Sequence, residues 1–167
     1  NTPAFYWIHG GGMVTGSAPM SDGFCGQQAL DLGIVVASVE YRLAPEHPYP
    51  APLEDCYAGL HWLARSSEEL GIDPKRIAIG GGSAGGGLAA GVALLARDRG
   101  EIDICFQLLV YPMIDDRNTT NSSISITDKR LWNRTANIVG WNAYLSGHAG
   151  DEGVSHYAAP ARATDLA

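Results

Sequence analysis

A serine flanked by glycines is the feature of this sequence that most directly suggests chemistry. Residues 81–85 read Gly-Gly-Ser-Ala-Gly, which fits the pattern G-x-S-x-G, whose serine is a nucleophile. A strand-like apolar run ends just before Gly81 and a helix-like run follows Gly85, the context in which this pattern forms a sharp strand-turn-helix corner. A side chain at either glycine would crowd such a corner. We therefore predict that the corner presents Ser83 at the carboxyl edge of a sheet.

The same glycines also fit a second pattern. Gly80, Gly82 and Gly85 match G-x-G-x-x-G, a loop that holds the phosphates of dinucleotides. That loop requires an acidic residue about 20 residues later and normally follows the first strand of its domain. Here two strands come earlier, and Asp115 is about 30 residues away. On these residues alone, a phosphate loop and a purely structural glycine turn stay open as alternatives.

A second glycine cluster follows the first strand-like run: His9, Gly10, Gly11 and Gly12. In serine hydrolases a glycine-rich turn at this place supplies half of the oxyanion hole. One backbone donor of that kind contributes about 2.7–4 kcal/mol to the transition state. We therefore predict that the two glycine loops converge on Ser83. His9 is predicted to hold its loop rather than act as the base, because a base must reach the serine from the opposite side.

Apolar runs alternate with helical patterns and would position both loops. Strands are predicted at residues 4–8, 34–39, 76–79 and 104–111, and helices at 53–64 and 88–99. Asp73 and Pro74 are predicted to form the turn into the third strand. This alternation predicts an α/β fold with a mostly parallel, doubly wound sheet. The continuous apolar composition predicts strands that are buried on both faces.

The alternation stops after residue 114. We predict a core over residues 1–114, an inserted helical lid over residues 115–153 and a return toward the core over residues 154–167. The chain opens without Met and almost inside a strand, and its end is equally abrupt, so we expect a fragment of a longer protein.

Composition excludes several classes of function. Eleven Lys and Arg against 18 Asp and Glu give a net charge of −7, which argues against a nucleic acid partner. The longest apolar stretch, residues 88–96, is too short for a membrane span. The three cysteines, Cys25, Cys56 and Cys105, form no CxxC pattern, so we expect no metal site and no disulfide. We expect them to be buried thiols of a protein in a reducing, cytoplasmic compartment. No cofactor is expected.

Four segments together resemble one family. They are residues 9–12 (His-Gly-Gly-Gly), residues 41–51 (Tyr-Arg-Leu-Ala-Pro-Glu-His-Pro-Tyr-Pro-Ala), the pair Glu54 and Asp55, and residues 81–86 (Gly-Gly-Ser-Ala-Gly-Gly). This combination is similar to the hormone-sensitive-lipase-like bacterial carboxylesterases of family IV, which have the α/β-hydrolase fold. The resemblance covers nearly all of this chain but only the middle of a full family member.

The resemblance implies a serine carboxylesterase that hydrolyses short- to medium-chain esters through an acyl-enzyme on Ser83. The expected partner is a small-molecule ester, and homo-oligomerisation stays open. The resemblance assigns the oxyanion donors to the backbone N–H groups of Gly11, Gly12 and Ala84. The residues expected to support the two motifs are His9, Gly10, Gly81 and Gly85. Three lid residues could line the acyl pocket or simply pack: Trp141, Tyr144 and Leu145.

Two departures from the family bear on this interpretation. Gly82 stands where members usually carry an acidic residue or threonine. The triad acid and histidine, which follow the serine in that order, are expected beyond residue 167. His148 or His156, with Asp115, Asp116 or Asp151, is a poor substitute because no strand precedes them. The alternative is a non-catalytic ligand-binding module, since plant gibberellin receptors are similar to this family yet lack the catalytic histidine.

Overall fold

A four-stranded parallel sheet forms the centre of the chain. The structure is a computed structural model that describes residues 1–166, and its strand order is β2-β1-β3-β4 with every pair parallel. The strands are β1 (Thr2–Ile8), β2 (Val35–Val39), β3 (Ile72–Gly82) and β4 (Ile104–Val110). This sheet confirms the predicted parallel arrangement.

Helices connect the strands and cover both faces of the sheet. Within the described part of the chain the α-helices are α1 (Asp22–Leu32), α2 (Ala51–Arg65), α3 (Ala84–Arg99), α4 (Asn121–Ser125) and α5 (Arg134–Tyr144). Short 3-10 turns occur at Ala18–Ser21 and Pro160–Arg162. The first three helices each join two parallel strands, and the doubly wound arrangement is therefore confirmed.

Side chains of β1 alternate between two cores. Tyr6 and Ile8 belong to the larger core, which also contains the inner faces of α2 and α3. Phe5 and Trp7 point the other way and pack with Cys25 of α1. Because successive residues of a strand face opposite sides, a strand with a core on each side must be apolar throughout. This burial explains why the sequence of β1 is a continuous apolar run rather than an alternating one.

The third strand begins earlier than predicted. Asp73 and Pro74 lie inside β3, not in a turn before it, because the chain already runs beside β1 at Ile72. The N–H of Thr2 donates to the carbonyl of Gly71 at 2.9 Å, which anchors that start. A register shift between Thr2 and Ala4 makes room for the proline, which has no N–H to donate to the ladder.

The prediction that β4 is a buried strand is wrong. Among residues 1–166, β4 pairs only with β3 and forms an edge of the sheet, and Phe106 is 59% exposed there. Leu108 is also exposed, since α1 packs against the far strand β2 and does not reach this part of the face. Cys105, on this edge strand, is exposed as well, which corrects the expectation of three buried thiols; Cys25 and Cys56 are buried.

Helix α1 was missing from the predicted elements. Its sequence contains Gly23 and Gly26, and Cys25 is its one buried residue, while Leu30 is 82% exposed. A helix that buries so little has no apolar stripe to reveal its period. Gly33, in the left-handed conformation at φ 61°, ends it.

An ion pair joins the loop after β2 to helix α2. Arg42 donates from Nε and Nη2 to the two carboxylate oxygens of Asp55, each at 2.8 Å, and its main-chain N–H donates to Asp55 Oδ2 at 3.0 Å. The hydrogen bonds from the Arg42 side chain are the main reason that the pKa of Asp55 lies below its usual value.

This pair predicts a small, pH-dependent contribution to stability. The pKa of Asp55 is lower in the folded chain than in the unfolded one, so the contribution is complete above about pH 4 and is lost as the pH falls further. We expect Asp55→Asn to lower the free energy of unfolding by less than about 1 kcal/mol at neutral pH. Urea unfolding of both proteins between pH 7 and pH 3 measures this, and a difference that persists unchanged at the acidic end would contradict it.

Candidate active site

Ser83 occupies a strained corner between β3 and α3. Its backbone adopts φ 56° and ψ −119°, a conformation that is costly for a residue with a side chain. Main-chain hydrogen bonds hold it there: its N–H donates to Val110 at 2.9 Å, and its carbonyl accepts from Met113 at 2.9 Å and Gly87 at 3.1 Å. The neighbouring strand and the first turn of the helix thus fix the conformation of this serine.

The glycines around Ser83 are required by close backbone packing. A Cβ on Gly81 would lie less than 3.0 Å from the backbone of Gly85, and a Cβ on Gly85 less than 3.0 Å from the carbonyl of Ile8 in β1. Gly82 is different, because its Cβ would meet nothing closer than Trp7 at 3.8 Å and the hydroxyl of Tyr111 at 3.9 Å. The first turn of α3 can therefore cross β1 and β3 only with glycine at positions 81 and 85.

The two glycine clusters lie side by side. A Cβ on Gly10 would be 2.8 Å from the carbonyl of Gly82 and 3.4 Å from Cβ of Ser83. This contact follows from the strand order, because β1 and β3 are neighbours and both end at the same edge. Gly11 and Gly12 have positive φ angles of 123° and 62°, and their N–H groups donate to no acceptor among residues 1–166. The loop thus presents unpaired backbone donors close to the serine.

His9 is buried and makes its contacts within its own loop and with Tyr41. Its Nδ1 donates to the carbonyl of Gly10 at 2.7 Å, and its ring stacks on Tyr41 with centroids 4.2 Å apart. The hydroxyl of Tyr41 donates to the carbonyl of His9 at 2.9 Å. Burial raises the pKa of Tyr41, which keeps this hydroxyl protonated and able to donate. The geometry suits a residue that holds the glycine loop.

A cavity of about 510 Å³ opens beside Ser83. One wall is the segment after β4, with Tyr111 and Met113, and the opposite wall comes from residues around α4 and α5, with Ile126 and Trp132. A volume between about 300 and 1,000 Å³ is typical of small-molecule sites. The serine therefore stands in the wall of a site that could hold a small organic molecule.

The three candidate pocket residues have different environments. Trp141 lines this cavity. Tyr144 is fully buried against the core, with its ring centroid 5.8 Å from that of Tyr49 in an edge-to-face contact, and it does not line the cavity. Leu145 is 8% exposed and borders a separate cavity near His148. Of the three, Trp141 alone lines the cavity beside Ser83, although its side chain is fully buried.

The family profile described as alpha/beta hydrolase fold matches residues 5–167. This chain belongs to that family. The match confirms the predicted fold class, the α/β-hydrolase fold. Esterases among its relatives confirm the resemblance to family IV esterases.

Relatives of this α/β hydrolase include two proteins of Mycobacterium tuberculosis. Esterase LipI is 50% identical over 110 residues, which are 66% of this chain and 34% of LipI. Carboxylesterase NlhH is 47% identical over 112 residues, which are 67% of this chain and 35% of NlhH. Among solved structures, bacterial heroin esterase superposes with a TM-score of 0.96 at 52% identity and covers 99% of this chain and 53% of that one. The aligned part of the chain spans about a third of the length of LipI and of NlhH.

None of the five histidines among residues 1–166 of this α/β hydrolase lines the cavity beside Ser83. His148 Nδ1 lies 3.0 Å from Asp151 Oδ2 on the surface, and His156 lies 3.9 Å from Asp98. Neither histidine lines the cavity at the serine.

The acidic residues near the cavity also have other partners. Asp115 lines the cavity, but Arg117 Nε and Nη2 donate to its carboxylate at 2.7 and 3.0 Å, and these hydrogen bonds lower the pKa of Asp115. The carboxylate of Asp116 is fully buried and accepts from Arg162 at 2.6 and 2.8 Å and from the N–H of Gly150 at 2.7 Å. Asp116 thus ties together segments that are distant in sequence.

Sequence reasoning missed the burial of Asp116 and the place of Trp132 in the cavity wall. The acidic residue lies in a polar run that is typical of a solvent-exposed loop, so nothing in the pattern indicated its burial. Trp132 precedes α5 and lies outside the helical period, and only its type, a large aromatic residue in a polar context, could have drawn attention to it.

Between residues 1 and 166, no three His, Cys, Asp or Glu side chains are grouped so that they could hold a metal ion. In the same range, no helix combines the length and the apolar character needed to cross a membrane.

Proposed function

We propose that this chain carries the nucleophile and the oxyanion hole of a carboxylesterase. The observation that carries the proposal is the strained Ser83, beside the Gly10 loop and in the wall of a cavity. Ser83 Oγ attacks the ester carbonyl and loses its proton to a base, the alcohol leaves with a proton, and water then hydrolyses the acyl-serine. The names of the relatives, esterase and carboxylesterase, support this reaction.

The oxyanion donors are proposed to be the N–H groups of Gly11, Gly12 and Ala84. The first two have no acceptor among residues 1–166, and Ala84 begins a helix of 16 residues whose N-terminal dipole favours negative charge. Each donor of this kind contributes about 2.7–4 kcal/mol to the stability of the transition state.

The proposed substrate is a small ester with a short to medium acyl chain. The size of the cavity supports a small ligand, and Met113 and Ile126 supply apolar surface for an acyl chain. We further propose that α4 and α5, within residues 115–153, act as a lid over this cavity.

The base and its acid are proposed to lie outside residues 1–166. The support is geometric, because none of the five histidines in that range lines the cavity beside Ser83. In this fold the acid and then the histidine follow the serine in sequence, so we expect both after residue 167.

A fluorophosphonate probe tests the proposal, because it reacts with an activated serine and not with an ordinary one. We expect the full-length protein to be labelled once, on the peptide that contains Ser83. Ser122 lines the same cavity and provides the matched control, since Ser122→Ala should keep the label. No labelling of a folded full-length protein would contradict the esterase and favour the non-catalytic ligand-binding alternative.

A further inference from the structure

The side chain of Trp132 lies directly on the loop of the proposed oxyanion donors. A Cβ on Gly12 would be 2.8 Å from Cζ2 and Cζ3 of Trp132 and closer still to Cη2, so the benzo edge of the indole covers the Cα of that glycine. Gly140 of α5 completes the contact, because a Cβ there would lie 3.0 Å from the carbonyl of Gly12 and 3.2 Å from Trp132 Cζ2. Gly12, Trp132 and Gly140 thus form one compact contact.

A chain of hydrogen bonds fixes the orientation of the indole. Trp132 Nε1 donates to Asn137 Oδ1 at 2.9 Å, and Asn137 Nδ2 donates to Asn118 Oδ1. Asn118 is buried, and its Nδ2 donates to the carbonyl of Asp116 at 3.1 Å. The relay therefore ends at the residue whose buried carboxylate binds Arg162. An indole held in this way presents a rigid edge to the glycine.

Hydrogen bonds within the turn hold the other side of the glycine loop, at Gly11. The carbonyl of Gly11 accepts from the N–H of Val14 at 3.1 Å and from Thr15, through N–H at 3.0 Å and Oγ1 at 3.1 Å. These bonds fix the plane of the peptide that joins Gly11 to Gly12, and the Gly12 N–H lies in that plane. The place of this peptide in the site also depends on the Cα of Gly12, on which the indole edge packs.

We propose that Trp132 is a positioning residue for the oxyanion hole. By packing on Gly12 it keeps the N–H of that glycine aimed at the position of the developing oxyanion. This inference rests on the proposed esterase function. Because oxyanion donors act on the transition state more than on the bound ester, loss of the indole should lower kcat rather than raise KM.

Trp132 also lines the cavity, so the experiment must distinguish a role in positioning Gly12 from a role as a cavity wall. If the indole served only as a wall, its removal would enlarge the site, change KM and alter the preference between short and longer acyl chains. If it positions Gly12, kcat should fall by the same factor for every ester. Two p-nitrophenyl esters, the acetate and the butyrate, distinguish the two roles.

The experiment compares Trp132→Ala, Trp132→Phe and Asn137→Ala in the full-length protein. We expect Trp132→Ala to lower kcat roughly 10- to 100-fold for both esters with little change in KM, since small misplacement of a catalytic group is costly. Trp132→Phe should recover most of the rate because it keeps an aromatic edge. Asn137→Ala should cause a smaller loss than Trp132→Ala. Trp62→Ala, an exposed tryptophan of α2, is the matched control and should leave kcat unchanged.

The outcomes separate this inference from the proposed function. If Ser83→Ala retains hydrolysis in the same assay, the esterase proposal fails. If Ser83→Ala is inactive and Trp132→Ala has the kcat of the wild type, or changes only KM, the positioning role alone is overturned. Should Trp132→Ala fail to fold, as judged by its melting temperature, the comparison of Asn137→Ala with wild type decides, and an unchanged kcat overturns the role.

Discussion

Replacing Ser83 with alanine is expected to lower kcat for ester hydrolysis by about six orders of magnitude in the full-length protein. Without the hydroxyl no acyl-enzyme forms, and what persists is the effect of binding and the oxyanion donors, about 10³- to 10⁴-fold over water. Steady-state hydrolysis of p-nitrophenyl acetate, corrected for contaminating wild-type enzyme, measures the loss. A fall of less than a hundredfold would show that another group performs the attack.

A second substitution at position 83 distinguishes the loss of catalytic activity from the effect of backbone strain on stability. Ser83→Gly should be as inactive as Ser83→Ala, but glycine adopts φ 56° and ψ −119° without the clash of a Cβ. We expect the free energy of unfolding of the glycine variant to exceed that of the alanine variant by about 1–2 kcal/mol. Chemical denaturation of the two variants measures the difference, and equal stabilities would mean that the corner is not strained.

Gly85→Ala is expected to prevent the formation of the native sheet. The new methyl group would lie less than 3.0 Å from the carbonyls of Ile8 and His9. β1 is paired on both sides, with β2 and β3, so its backbone cannot move away without breaking a ladder. We therefore expect a cost above the usual range for overpacking, which is about 1–3 kcal/mol. The yield of soluble protein and the denaturation midpoint measure it.

Gly23→Ala is the matched control for that substitution. Gly23 lies in α1, where a Cβ would meet no other atom within 4 Å and φ is not positive. The same chemical change should there raise the free energy of unfolding by about 0.5–1 kcal/mol, because alanine favours the helix. If both variants were equally stable, the close packing of Gly85 on β1 could not be the reason for its glycine.

The fold was predictable wherever burial left a periodic trace in the sequence. Strand β1 is apolar throughout because each face meets a core, and α2 buries Cys56, Leu60 and Leu63 at helical spacing. The sequence of β4 resembles that of a central strand, but burial depends on whether neighbours are present. A run of apolar residues does not state which elements will lie beside it, and the exposure of Phe106 was therefore not predictable.

The candidate site was predictable to the extent that it is local in sequence. Each glycine motif encodes its own turn, and parallel strands bring both turns to one edge, so the proximity of Gly10 and Ser83 follows from sequence reasoning. The contact between Gly12 and Trp132 joins positions 120 residues apart and has no period or spacing rule. Tyr144 likewise could not be assigned to the core or the cavity before the direction of α5 was known.

The room for a Cβ at Gly82 determines which substitutions this corner can accept. Positions 81 and 85 admit no side chain, whereas a Cβ at position 82 would make only ordinary van der Waals contacts with Trp7 and Tyr111. The residue before the serine in G-x-S-x-G can thus vary, because a Cβ at that position has no close backbone contact. A carboxylate, an amide or a hydroxyl could be installed there, one residue from the nucleophile, to adjust the local electric field while the bend itself stays intact.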